Sequence, residues 1–74
     1  MQIKNIRKMK LLRQKDVAKK LDIDEAYYCN IENGRYLPSP KIVRQLARVL
    51  KMPAEALYKI LQENLRIDKG VLNE

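Results

Sequence analysis

The stretch Gln14-Lys15-Asp16-Val17-Ala18-Lys19-Lys20-Leu21-Asp22-Ile23-Asp24-Glu25-Ala26-Tyr27-Tyr28-Cys29-Asn30-Ile31-Glu32-Asn33-Gly34-Arg35 decides the fold. Val17, Ala18 and Leu21 recur at helical spacing, which predicts a short helix from Gln14 to about Leu21. Asp22-Ile23 breaks it. Asp24 then offers the carboxylate that accepts N–H groups at a helix start, and Glu25 suits the positive first turn. A second helix is predicted from about Glu25 to Asn33, with Tyr28 and Ile31 turned inward. It stops at Asn33-Gly34, expected as a left-handed pair at the helix end.

Upstream, Ile3, Ile6 and Leu11 give a first helix a partly filled apolar stripe, with Met9 and Leu12 near its end. Downstream, Ser39-Pro40 places a capping hydroxyl before a proline at the first helical position. The fourth helix that follows carries Ile42, Val43, Leu46, Ala47, Val49 and Leu50, a set broad enough for a central element. Pro53 opens a fifth helix through Leu57, Ile60, Leu61 and Leu65, a stripe that extends past what the core needs. Gly70 marks the start of a tail. No alternating strand pattern is present. The expectation is an all-α, compact five-helix bundle: one domain over residues 1–68 and a flexible tail over 69–74.

A chain of 74 residues buries only about 60% of its unfolded surface, which leaves little room for an enclosed active site. It has no His, one Cys and one Ser, which removes zinc-finger ligand sets, Ser–His and Cys–His nucleophiles, and a disulfide within the chain. An enzyme is therefore not expected, nor a cofactor or metal; Asp22, Asp24 and Glu25 lack the Gly and distal Glu of a calcium loop. No apolar run is long enough to span a bilayer. The default is a cytoplasmic protein with no membrane partner. The net charge is +7, and residues 1–20 alone hold eight bases against one acid. Residues 21–40 hold one base against four acids, and residues 41–74 seven against four. Excess base attracts polyanions, although lysines also simply solvate helix faces.

Helix, tight turn, helix is the arrangement that sets one helix in a DNA major groove while another braces it on the backbone. The segments Gln14 to Asp24 and Tyr27 to Arg35, with Pro38-Ser39 and Leu46-Ala47, resemble the phage repressor/Cro-type (XRE-like) helix-turn-helix family. The resemblance runs from about Ile6 to Leu57 and implies a lambda repressor-like DNA-binding domain. It implies a sequence-specific transcriptional regulator of double-stranded DNA, of bacterial or phage origin, acting on a palindromic operator. A homodimer through the C-terminal helix is a further expectation. The resemblance places Gln14 at the start of the bracing helix on a phosphate and Ala18 where the two helices cross. Val17, Leu21, Ile23, Tyr28 and Ile31 lie beneath the motif. Glu25, Ala26, Tyr27, Cys29 and Asn30 face the bases, and Arg35, Tyr36 and Lys41 face phosphates. Asn30 has the chemistry to contact adenine, Glu25 a cytosine amino group and Ala26 a thymine methyl. Arg7 and Glu32 fall at positions that form a structural ion pair.

Four positions depart from the pattern. Asp22 stands where Gly is usual, Tyr28 where an aliphatic residue is usual, Arg13 where Ser or Thr caps the bracing helix, and Tyr36 where a base is frequent. The Tyr28 hydroxyl has to find a rim or a partner. Packing is the first expectation for Tyr28 and Tyr58, and Tyr27 is open between packing and a DNA contact. Cys29 reads as an ordinary surface thiol. Asp24 and Glu25 set negative charge at the tip that would enter the groove. The alternative is therefore a protein-interaction module, adaptor or antitoxin-like, with a weak or vestigial DNA face.

Overall fold

The computed structural model describes residues 2–65. The expected boundary near residue 68, the tail over 69–74 and Gly70 lie outside them. Among the described residues there are five helices and no strand: α1 (Ile3–Met9), α2 (Gln14–Leu21), α3 (Glu25–Glu32), α4 (Pro40–Leu50) and α5 (Ala54–Glu63). Capping chemistry sets the starts of α3 and α4. The Asp24 carboxylate accepts from the Ala26 N–H at 3.0 Å, and Ser39 Oγ from the Ile42 N–H at 3.3 Å, with Pro40 at the first helical position.

Four helices end alike. The N–H two or three residues beyond each end returns to a carbonyl five residues back: Leu12 to Arg7, Ile23 to Ala18, Arg35 to Asn30 and Met52 to Ala47, at 3.0–3.2 Å. A left-handed residue makes each return, at Leu11, Asp22, Gly34 and Lys51, with φ of 60°, 57°, 77° and 56°. This is the Schellman geometry, in which glycine is usual. Only Gly34 escapes the Cβ clash; Asp tolerates it better than Leu or Lys. Asn33, expected to share the left-handed conformation with Gly34, is right-handed at φ −82°. One left-handed residue is enough to close the ring of hydrogen bonds.

α4 is the central element. Its Val43, Leu46, Ala47 and Leu50 meet Val17, Ala18 and Leu21 of α2, Tyr28 and Ile31 of α3, and Leu57 and Leu61 of α5 in one core. α2 packs on both α3 and α4, α4 on α5, and α1 on α5. The α5 stripe does not extend past the core as expected: Leu57 and Leu61 are buried in it, Ile60 packs against it and Leu65 is half-buried. The core of so short a chain needs that whole face. Tyr58, expected to pack, is 37% exposed and lines a shallow hollow with Pro38, Pro40, Val43 and Ala54.

Candidate nucleic-acid interface

Two corners hold α2 and α3 in place. At the start of α2 the Asp16 carboxylate reaches back to the Arg13 N–H at 3.0 Å, and the Arg13 side chain donates to the same carboxylate from Nε at 3.0 Å and Nη2 at 3.3 Å. An arginine cannot accept a hydrogen bond from the helix N–H groups, so only the other half of a capping box is made, in which the Asp16 carboxylate accepts from the N–H of the residue before the helix. The Arg13 hydrogen bonds hold the Asp16 carboxyl below its usual range. At the α2–α3 corner, Ile23 is half-buried, and Asp24 is committed to the Ala26 N–H.

These corners leave Glu25, Ala26 and Tyr27 exposed on α3, with Cys29 and Asn30 half-buried beside them and Tyr28 and Ile31 turned into the core. Cys29 Sγ accepts from Asn33 Nδ2 at 3.5 Å. The Tyr27 ring meets Tyr36 with centroids 5.6 Å apart and planes tilted by 35°, while 38% and 44% of the two residues stay exposed. Tyr27 therefore both packs and faces solvent, and the pair braces the loop after α3 against the helix. Arg35 is exposed near the start of that loop, and Lys41 is exposed beyond it in the first turn of α4.

Beneath this surface lies a buried polar group. Arg7 on α1 donates from Nε and Nη2 to the Glu32 carboxylate of α3, and from Nη1 to the Leu12 carbonyl at 2.7 Å. Gln14 Nε2 donates to the same carboxylate at 2.9 Å. Glu32 thus ties together α1, the start of α2 and the end of α3. Burial alone would raise the Glu32 pKa, but the hydrogen bonds from Arg7 and Gln14 outweigh it and hold the carboxyl below its usual range. The hydrogen bond to Glu32 raises Arg7 in turn. Breaking such a pair costs about 3–5 kcal/mol, because one charge is left uncompensated. The Tyr28 hydroxyl found no rim: it is buried beside this group without a hydrogen bond of good geometry. Burial first, and then the neighbouring Glu32 carboxylate, push its pKa far above the ordinary value.

The expected phosphate contact Gln14 is therefore engaged inward through one N–H. A primary amide still carries a second N–H and a carbonyl. Gln14 also lines a shallow concavity of about 480 Å³ with Lys4, Arg7, Arg13, Lys15 and Glu25. None of Lys4, Arg13 and Lys15 is expected from the sequence as a DNA contact, and Arg13 stands out there only as a departure at the helix cap. The signal was there only as a block, the basic first twenty residues, because chain order does not say which face each cation takes. The acidic residue at the tip of α3 thus shares its hollow with exposed cations. Among the described residues no cluster of Cys, Asp and Glu is arranged to hold a metal, and no helix is long and apolar enough to cross a membrane.

The model of a family described as helix-turn-helix matches residues 3–57. The chain is also 42% identical over 55 residues to the ImmF control region 10 kDa protein of Bacillus phage phi105, an alignment covering 74% of this chain and 61% of that protein. It therefore spans less than two thirds of that relative's length. No solved structure matches it significantly.

Proposed function

This chain belongs to the helix-turn-helix family, and on that premise we propose that it is a transcriptional regulator that binds double-stranded DNA by sequence, with α3 in the major groove. The observation that carries the reading is the hollow shared by Gln14, Glu25, Lys4, Arg13 and Lys15. A carboxylate entering a groove meets phosphate repulsion, and cations on either side of it offset that repulsion while neutralising the backbone. The similarity to a phage control-region protein supports a regulatory role.

In this reading Asn30, Glu25, Ala26, Tyr27 and Cys29 face base edges, with Asn30 the adenine reader and Glu25 accepting from cytosine. Gln14, Arg35, Tyr36 and Lys41 contact phosphates, joined by Lys4, Arg13 and Lys15. Two copies sit on a palindromic site with half-sites one helical turn apart, paired through the C-terminal helix α5.

Selection from random duplexes followed by salt titration tests this. Affinity for the selected site falls with salt at a log–log slope of about −0.9 per phosphate neutralised. Asn30→Ala relaxes preference at one base and costs about 1–3 kcal/mol there, whereas Lys15→Ala weakens all duplexes alike. Enrichment of no motif, or one base-preference profile shared by wild type and Asn30→Ala, refutes the assignment.

A further inference from the structure

The cations of the first twenty residues do not all serve the α3 side. Lys10 and Lys20, at the C-terminal ends of α1 and α2, face Arg48 and Lys51 at the end of α4 across a groove of about 550 Å³. Leu12 and Val49, both half-buried, line it between them. No residue of α3 contributes, and Lys20 stands about 9 Å along α2 from Gln14 at 1.5 Å per residue. No carboxylate lines the groove, and among the described residues the two ion pairs are Arg7–Glu32 and Arg13–Asp16, so none of its four cations has a salt-bridge partner there. Cations are favourable at helix C-terminal ends, which accounts for each of them singly. It does not account for the apolar surface that accompanies them. Leu11, between two lining residues in the chain, is 91% exposed in a left-handed conformation that disfavours leucine, and Met9 is 75% exposed.

We propose that this groove docks an acidic segment of a protein partner, one that lays aliphatic or aromatic side chains on Leu12 and Val49, beside the exposed Leu11, while its carboxylates meet Lys10, Lys20, Arg48 and Lys51. Charge complementarity selects an anionic occupant. The apolar floor of Leu12 and Val49 between the cations favours a peptide over a nucleic acid, because phosphates offer it nothing apolar to cover. The concave shape favours a peptide over a flat bilayer. Such a site lets the domain engage a second protein while α3 is occupied, and it stands whether or not the DNA reading holds.

The test follows backbone amide NMR shifts in the whole chain with four probes. These are a synthetic peptide of leucines spaced by glutamates, the same peptide with glutamine for glutamate, a random duplex, and phosphatidylglycerol vesicles. The acidic peptide is expected to shift Leu12, Lys20, Val49 and Lys51 and to bind at least tenfold more tightly than the glutamine version. Lys20→Glu/Lys51→Glu should abolish that binding, and Leu11→Ser should weaken it severalfold with the charges intact. Both variants sit on solvent-facing residues, and unchanged shifts in α3 and α5 verify folding. Equal binding of the two peptides, or no peptide-induced shifts in the groove, overturns the proposal. Stronger occupancy by duplex or by vesicles overturns it in favour of that ligand.

Discussion

Replacing Arg7 by methionine should be among the most damaging single changes available to this domain. It keeps most of the side-chain volume on α1 but removes both donors to Glu32 and the donor to the Leu12 carbonyl. A buried carboxylate is then left with Gln14 as its remaining donor of the two. The expected cost is about 3–5 kcal/mol. A chain of 74 residues has roughly 4–11 kcal/mol of stability in total, so the variant lies near the edge of folding. At roughly 4–8 °C per kcal/mol for a domain of this size, Tm falls by roughly 12 °C or more. The double variant Arg7→Met/Glu32→Leu replaces the pair with apolar volume and should recover most of the loss. Urea unfolding followed by far-ultraviolet circular dichroism gives the cycle, with a coupling energy of at least about 2 kcal/mol expected. The pH dependence supplies an independent sign. In the wild type Glu32 is depressed when folded, so its contribution is present above the ordinary value of 4.5 and is lost as pH falls through the folded pKa. In Arg7→Met burial dominates and raises Glu32 when folded, so that variant gains stability on acidification. Additive single and double costs, with parallel pH profiles, would refute the reasoning.

Three other perturbations follow from the same structure. Leu11→Gly removes a left-handed strain of roughly 1 kcal/mol at a residue with almost no packing to lose, so its urea midpoint should rise above that of Leu11→Ala. Tyr28→Phe deletes a buried hydroxyl that lacks a hydrogen bond and should be neutral or stabilising by up to about 1 kcal/mol; a loss above that range would mean the hydroxyl is bonded. Asp24→Ala removes the carboxylate on the Ala26 N–H and should cost about 1 kcal/mol, with faster amide exchange confined to the first turn of α3.

Much of this architecture is legible in the sequence because the helix starts are written in local chemistry. Asp24, Ser39-Pro40 and Pro53 each mark a start with a group whose geometry admits few alternatives, and α2 matches its predicted span of Gln14 to Leu21. The ends are less legible. Nothing in the identity of Leu11 or Lys51 announces a left-handed residue, because backbone hydrogen bonds force the turn there against side-chain preference. Asn33 shows the converse, a residue suited to that conformation but not used in it. Long-range polar links are hidden for a different reason. The resemblance indicated Arg7 and Glu32, but the approach of Gln14 and Tyr28 to the same carboxylate depends on how three helices cross. The cations illustrate the same limit. A block of lysines and arginines in the first twenty residues divides between the two ends of α2, and only the folded chain shows the division.

The left-handed corners at Leu11, Asp22 and Lys51 have a consequence for how such a chain changes over generations. Asp22 is one nucleotide change from glycine or asparagine, Lys51 one from asparagine and Leu11 two from either, and all three positions are exposed, so such changes relieve tension without disturbing the interior. A lineage altering α3 to recognise something new tends to weaken its fold in doing so. Here Leu11 and Lys51 lie outside α3, so novelty on that helix and repair at those two corners can accumulate independently.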